Sequence, residues 1–374
     1  MNNKIGRKWC DLKCDSQDLG ILGDSKRRDF LADSARLAGI TALATALPLV
    51  AKDTKDTAHK NPQKLQNKGE IMNSQQTWYI TGASGGLGFA LAKYLLEKGD
   101  KVALTSRKKG NLEAKFGELS KSENFLALTL TFDKNIDKQV AQNIAEIKRK
   151  FGRIDNVVNN AGYGLGGFVE EVSEKQLREQ FEVNVFAPFL VAQNALKIMR
   201  PQAKLEGGNA ENIKARIYNL SSIAGFRVPN GSTPYSMSKF ALSALSEGLM
   251  LDLADFGIAV VNVMPAGFRT EFLGASYKLS EIQISDYDKK RATFIDNANA
   301  FNGKQPGNPD AFAKVIYETS RMAKPPFSLF MGDSAYKSAR NKIAFVQEDM
   351  KATEKYAGVA VDFADSAGSA FDKR

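Results

Sequence analysis

Tyr235 and Lys239 stand four residues apart as Y-x-x-x-K, at the head of a stretch patterned as a helix. Positions i and i+4 share one helix face, so a phenol and an ammonium can stand side by side there. A neighbouring positive charge favours the phenolate and lowers the tyrosine pKa. That would make Tyr235 a usable acid/base near neutral pH. Ser222 lies 13 residues earlier, just after the apolar run 216–220, where its hydroxyl could hydrogen-bond a substrate carbonyl. Taken alone, Y-x-x-x-K occurs by chance in many helices. The rest of the inventory narrows the chemistry. The single histidine, His59, and both cysteines, Cys10 and Cys14, precede residue 72. Proton transfer in the body of the chain therefore falls to Tyr, Lys, Ser, Asp or Glu. A histidine metal site, a catalytic thiol and a disulfide framework are all excluded there.

A second constellation sits at the other end of that body. The apolar run 77–81 leads into T-G-A-S-G-G-L-G, residues 81–88, with Gly82, Gly86 and Gly88 spaced G-x-x-x-G-x-G and Ser84 and Leu87 between them. Strand, glycine turn and helix N-terminus is the order a pyrophosphate site needs: glycine lets the backbone approach, and the helix end favours the charge. A ribose reader is expected about 20 residues further on. An acidic residue there would accept from the 2′-hydroxyl of NAD, but the chain reads T-S-R-K-K over 105–109. Arg107 can fork onto a 2′-phosphate and Lys108 adds charge beside it, which favours NADP over NAD. The competing reading makes Arg107 an ordinary solvated charge.

These groups need a scaffold, and the hydrophobic pattern supplies one. Strands are expected at 77–81, 101–105, 125–131, 155–158, 216–220 and 258–263. Helices are expected at 86–98, 137–151, 173–199 and 235–256. The helix 137–151 places Val140, Ile144, Ile147 and Phe151 on one face. Strands alternating with helices predict right-handed βαβ units, hence an α/β, Rossmann-type doubly wound parallel sheet with helices on both faces, in a single domain.

The net charge of +10 is dispersed among acidic residues, which suits a phosphorylated cofactor and argues weakly for nucleic acid, so no nucleic-acid partner is expected. No run of about 18 apolar residues occurs, so stable membrane insertion is not expected. Residues 1–51 form a leader. Arg27-Arg28, Phe30-Leu31 and the Ala-rich stretch 38–51 resemble a Tat export signal, against the alternative of a small amphipathic helix. Residues 52–73 read as a polar linker, 74–357 as the catalytic domain and 358–374 as a tail. Export predicts a periplasmic protein. A start at Met72, which opens M-N-S-Q-Q-T-W-Y-I-T-G, predicts a cytoplasmic one.

The glycine motif, N-N-A-G (159–162), N-L-S-S-I-A-G (219–225) and Y-S-M-S-K (235–239) follow one another in order. Together they resemble the short-chain dehydrogenase/reductase family, over nearly all of the body. The resemblance implies an enzyme that passes a hydride between nicotinamide and a carbonyl or secondary alcohol. Tyr235 would be the proton donor or acceptor. Lys239 would hold the nicotinamide ribose and tune the tyrosine. Ser222, rather than Ser221, would orient the substrate. Asn184, in F-E-V-N-V-F, would support a proton-relay water. Asp133 would contact the adenine, Asn160 and Gly162 would close over the cofactor, and Thr270 would meet its carboxamide. Two departures stand out: Ala266 in P-A-G-F-R-T, where the family has glycine, and a longer segment 201–215, expected as a surface loop. The region from 308 onward resembles a hydroxysteroid-dehydrogenase-like subgroup. Segments 163–168 and 268–301 are expected to wall the pocket. Their aromatics fit an apolar substrate or ordinary core contacts. The helices 173–199 and 235–256 resemble the pair with which the family builds a homodimer or homotetramer. A non-catalytic NADP-binding sensor on the same fold is the alternative, although such proteins usually lose the tyrosine or lysine.

Overall fold

The computed structural model describes residues 74–133 and 135–360. The leader, the linker, Cys10, Cys14 and His59 lie outside the described residues. In chain order the elements are β1 (Thr77–Ile80), α1 (Gly86–Glu97), β2 (Lys101–Ser106), α2 (Lys109–Phe116), β3 (Phe125–Thr129), α3 (Ile136–Phe151), β4 (Asn156–Asn159) and β5 (Gly164–Gly166). There follow α4 (Glu174–Phe181), α5 (Ala187–Leu205), β6 (Ala215–Leu220), α6 (Thr233–Leu253), β7 (Ile258–Pro265) and β8 (Tyr277–Leu279). The last four are α7 (Asp288–Phe301), α8 (Pro309–Ser320), β9 (Ser328–Met331) and α9 (Asp333–Thr353).

Seven strands form one sheet in the order β3-β2-β1-β4-β6-β7-β9, and every pair is parallel. Central strands read as continuous apolar runs because both faces are covered. On one face α3 and α5 pack, with Val140, Ile144, Ile147 and Phe151 all buried as their spacing predicts. On the other, Leu91 and Leu95 of α1 meet Phe312 and Ile316 of α8. The strand order reverses between β1 and β4, and a ligand crevice is expected at such a switch point, beyond the carboxyl ends of the strands. The opposite pole is closed by charge. Asp100 accepts from the backbone N of Gln76 at 2.9 Å, from Trp78 Nε1 at 2.9 Å and from Arg321 Nη2 at 2.6 Å. Arg321 Nη1 also donates to the Ser74 carbonyl at 2.7 Å.

Two expectations need correction. The helix expected over 173–199 is three pieces. Ser173 and Gln176 form a capping box that starts α4, a π-turn spans Glu182–Phe186, and α5 then runs to Leu205. The segment 201–215 is not all loop. Pro201 lies inside α5, where a proline costs about 3 kcal/mol. Burial of Met199 and Ala203 against the core carries the helix past it. Only the residues after Leu205 turn on the surface, around the Asn209–Asn212 bridge. Among the described residues no helix is long and apolar enough to cross a membrane.

Candidate active site

The carboxyl ends of β1 and β4 bring the glycine loop against the N-N-A-G turn. Gly82 and Gly86 have φ of 69° and 58°, the left-handed region that favours glycine. A Cβ on Gly82 would stand 2.8 Å from Ala161 Cα, and one on Gly88 would stand 2.4 Å from Asn160 Nδ2. Asn160 Nδ2 donates to the carbonyls of Thr81 and Gly82, both at 2.8 Å. Thr81 Oγ1 accepts from the backbone N of Asn160 and of Ala161, each at 3.1 Å. The turn and the loop are thereby clamped together with no room for side chains. Ser84 is exposed and Leu87 half-buried at the mouth of α1, whose N-terminus has neither a side-chain cap nor an acid in its first turn. Its first N–H groups therefore remain for an anion. These residues fit the dinucleotide pyrophosphate that the spacing predicted.

Around this cradle, Arg107 and Lys108 lie exposed just past β2, while Ser106 Oγ donates to the Lys108 carbonyl at 2.6 Å and shapes the bend. Asp133 is exposed. Its carboxylate accepts from Thr131 Oγ1 at 2.7 Å, the Asn135 backbone N at 2.8 Å and Gln139 Nε2 at 3.1 Å. These bonds, chiefly that from Thr131, hold its pKa below the usual value. Thr270 stands across from the loop, its Cβ 3.7 Å from where a Gly86 Cβ would be. The alanine at 266 leaves the backbone in place: its N donates to the Met331 carbonyl at 3.0 Å, and its methyl packs beside Ile223 and Ala335.

The catalytic candidates converge at the ends of β6 and α6. Tyr235 sits in the first turn of α6, and its phenol is hydrogen-bonded to Ser222. Ser222 Oγ also accepts from the Ala224 backbone N at 3.1 Å, which fixes the hydroxyl just past β6. Ser221 faces the other way, donating to the Lys239 carbonyl at 3.0 Å and pairing with Ser243 Oγ at 2.9 Å. Lys239 is buried, with Nζ 5.8 Å from the Tyr235 ring centroid and donating to the Leu220 carbonyl at 2.7 Å. Asn184 lies in the π-turn, a rare distortion that recurs at functional sites. Its Nδ2 donates to the Tyr163 carbonyl at 3.1 Å, and its Oδ1 accepts from the Tyr163 backbone N at 3.2 Å. A Cβ on Gly162 would touch Asn184 Oδ1 at 3.1 Å and Lys239 Nζ at 3.5 Å, so both groups face one point above that glycine.

Two supporting residues lie inside the motifs N-L-S-S-I-A-G and Y-S-M-S-K but were given no role from the sequence. Ser238 is fully buried, accepts from Asn184 Nδ2 at 3.0 Å and donates to the Tyr235 carbonyl at 2.7 Å. It joins the π-turn to the catalytic helix. Asn219 accepts from Asn159 Nδ2 at 2.8 Å and donates to Ser246 Oγ at 2.9 Å, tying β4, β6 and α6 together. Membership of those motifs was the signal that could have found them, and the fold shows what they bond.

The electrostatics correct one expectation. Burial raises the Tyr235 pKa. The Ser222 hydrogen bond opposes that rise, and Tyr277 adds to it. Burial pushes Lys239 down to about 7. The lysine was expected to pull the tyrosine down. Instead the pocket disfavours both charges, and the ammonium is turned to the Leu220 carbonyl.

Segments 163–168 and 268–301 do wall the site, as expected. β5 pairs in parallel with β8, and a chain of aromatic contacts runs from Tyr235 to Phe272 (5.7 Å between centroids), Tyr277 (6.0 Å) and Phe294 (6.2 Å). Glu171 anchors this wall, accepting from Arg291 Nη1 and from the Ile284 backbone N at 3.0 Å.

Comparison with known proteins agrees with this geometry. The sequence model of the short chain dehydrogenase family matches residues 76–279. "Oxidoreductase BOA17" of Botryotinia fuckeliana is 31% identical over 263 residues, covering 70% of this chain and 90% of that protein. "NADPH-dependent 3-dehydrocapnine reductase" of Ornithobacterium rhinotracheale is 33% identical over 199 residues, or 52% of this chain and 66% of that protein. Among solved structures, a short-chain dehydrogenase from Streptomyces avermitilis superposes with a TM-score of 0.66 at 30% identity, over 78% of this chain and 99% of that one. Sheet order, glycine cradle and matched sequence together place the chain in the short-chain dehydrogenase/reductase family of oxidoreductases.

Proposed function

We propose that the protein is an NADPH-dependent reductase of carbonyl compounds with Tyr235 as its acid, and that the convergence of Ser222, Tyr235, Lys239 and Asn184 carries this reading. A bound nicotinamide would supply hydride transfer, and the protein supplies orientation and proton handling. Ser222 hydrogen-bonds the substrate oxygen, and the Tyr235 phenol hands that oxygen its proton. Burial holds the Tyr235 pKa above its ordinary value, so the phenol is protonated at neutral pH and available as a donor. Lys239 holds the ribose beside Tyr235. Asn184, fixed in the π-turn, supports the water that restores the proton. Tyr235→Phe keeps the ring and removes the proton. Turnover of any accepted ketone should fall by orders of magnitude while NADPH binding, read by fluorescence titration, survives. Wild-type turnover in that variant would refute the assignment.

The preference for NADPH over NADH rests on Arg107 and Lys108, exposed beyond β2 with no acid in their place. The name of the Ornithobacterium relative points the same way. A forked, charge-assisted contact is worth about 1.5–3 kcal/mol, so Arg107→Asp should shift the ratio of kcat/KM values towards NADH by roughly 10- to 100-fold. Equal use of both cofactors by the parent protein would overturn this part.

Assembly into a homodimer or homotetramer through α5 and α6 is part of the same reading. Phe186 and Phe189, where the π-turn passes into α5, and Met237, Phe240 and Leu251 on α6 are exposed apolar side chains. Ala244 and Gly248, also exposed on α6, would let a second helix approach closely.

A further inference from the structure

The wall over Tyr235 is built on missing side chains. Alternate residues of a strand share a face, so Gly164 and Gly166 of β5 leave one face bare while Leu165 is buried on the other. Gly164 is in register with Tyr277 of β8. The Tyr277 ring occupies the bare face. A Cβ on Gly164 would meet its Cδ2 at 2.3 Å, and one on Gly166 would meet its hydroxyl oxygen at 2.7 Å. Phe272 lies over Gly164, its Cζ 3.0 Å from the same hypothetical Cβ. Phe294 spans Gly166 and Gly231, 2.9 Å from either. All three rings remain half-buried, and Phe272 is in contact with the Tyr235 ring.

Ser232 provides the second observation. It is the N-cap residue of α6, a position where a serine hydroxyl normally accepts from the first-turn N–H groups. Here it makes no capping bond. Its hydroxyl is instead hydrogen-bonded to Tyr277. A capping serine diverted to a phenol fixes that phenol in place. Either hydroxyl of this pair can donate, and where Ser232 does, the Tyr277 proton is left for another acceptor. Burial pushes the Tyr277 pKa up to about 12 against the effect of Ser232, so the group stays a donor over the working range of pH.

We infer that Tyr277 is the specificity-determining residue of this site, stacking on a flat substrate ring and donating to a second substrate oxygen. The substrate class is then an aromatic or conjugated cyclic carbonyl compound that bears a further hydroxyl or carbonyl. Offset stacking on Phe272, Tyr277 and Phe294 would favour a planar ring over a puckered one of equal size. The phenol would favour the oxygenated member of a matched pair, because only that member offers its hydroxyl a second hydrogen-bond partner. The inference rests on the carbonyl-reductase reading above, and the test separates the two.

The full-length protein with NADPH is assayed on acetophenone, the three hydroxyacetophenones and cyclohexyl methyl ketone. Binding of the same five compounds to the NADP-loaded protein is measured by calorimetry. The expected result is tighter binding and higher kcat/KM for acetophenone than for its cyclohexyl analogue. At least one hydroxyacetophenone should be preferred over acetophenone by roughly 3- to 10-fold, the worth of one neutral hydrogen bond. Tyr277→Phe should bring that hydroxyl ratio close to one, Ser232→Ala should lower it part of the way, and Tyr277→Leu should erase the ring preference. Binding ratios unchanged in Tyr277→Phe, no preference in the parent protein, or no binding by any of the five overturns the inference. Reduction by Tyr235→Phe at the parent rate, with binding selectivity intact, would sink the reaction reading and leave the inference standing.

Discussion

A lysine that is only 5% exposed and whose pKa falls to about 7 leaves a mark on stability as well as on chemistry. In the unfolded chain the same amine titrates near 10.4. Below about pH 7 it is charged in both states, and the fold carries a buried charge at a cost. Between about pH 7 and pH 10 the folded protein holds it neutral while the unfolded chain keeps its proton. The unfolded state then binds more protons, so stability rises with pH, by up to about 1.4 kcal/mol per pH unit for one group. Urea unfolding of the cofactor-free protein should show this rise relative to Lys239→Met. Parallel stability curves for the two proteins over that window would contradict it. The Y-x-x-x-K pair, Ser222 and the glycine spacing stood out in the residues themselves, whereas Asn184 became a candidate only through the family resemblance. The sense of the pKa shifts was not legible there. Lys239 and Tyr235 share a helix face as their spacing predicts, but burial and the Leu220 carbonyl decide the charges, and neither appears in a local pattern.

At the scale of elements, the wall over the site is held by a buried ion pair. Glu171 is fully buried, Arg291 is mostly so and bonds Glu171 Oε1, and the other carboxylate oxygen, Oε2, has no hydrogen-bond partner among the described residues. Removing one member of such a pair leaves an unmatched charge and costs about 3–5 kcal/mol, whereas removing both is far milder. Arg291→Met should therefore lower the melting temperature and speed tryptic cleavage at Lys289 and Lys290 in α7. The double variant Glu171→Gln/Arg291→Met should recover much of the loss. A single variant as resistant as the parent would show that the pair does not hold the wall. Periodicity foresaw α3 and its buried face almost to the residue. It missed the π-turn, since nothing in the spacing of Glu182–Phe186 marks an extra residue per turn, and the bonds from Asn184 to Tyr163 appear only in the fold. It also stopped α5 short at Pro201, because a local helix breaker was outvoted by burial of Ala203.

At the scale of the molecule, the exposed Phe186, Phe189, Met237, Phe240 and Leu251 make the α5–α6 flank an apolar surface that a second copy could cover. Light scattering at micromolar concentration should report a dimer or tetramer, and Phe240→Glu should shift the population to monomer. A monomeric parent protein would count against assembly through this flank. The alternation of strands and helices was enough to read the sheet class, whereas the strand order came from the fold. The seventh strand, β9, needed the fold, because Ser328–Met331 is short and only its pairing with β7 identifies it.

The charged pole at the amino ends of the strands has a practical corollary. Arg321 pins the Ser74 carbonyl there, at the end of the sheet opposite the cradle and Tyr235. The intervening strand β1 alone has four residues, or about 13 Å of rise. A tether joined just ahead of Ser74 would therefore enter on the far side from the chemistry. An enzyme immobilised on a bead or electrode through that point would present its cleft outward to solution. Attachment through α7 would instead press the aromatic wall against the support.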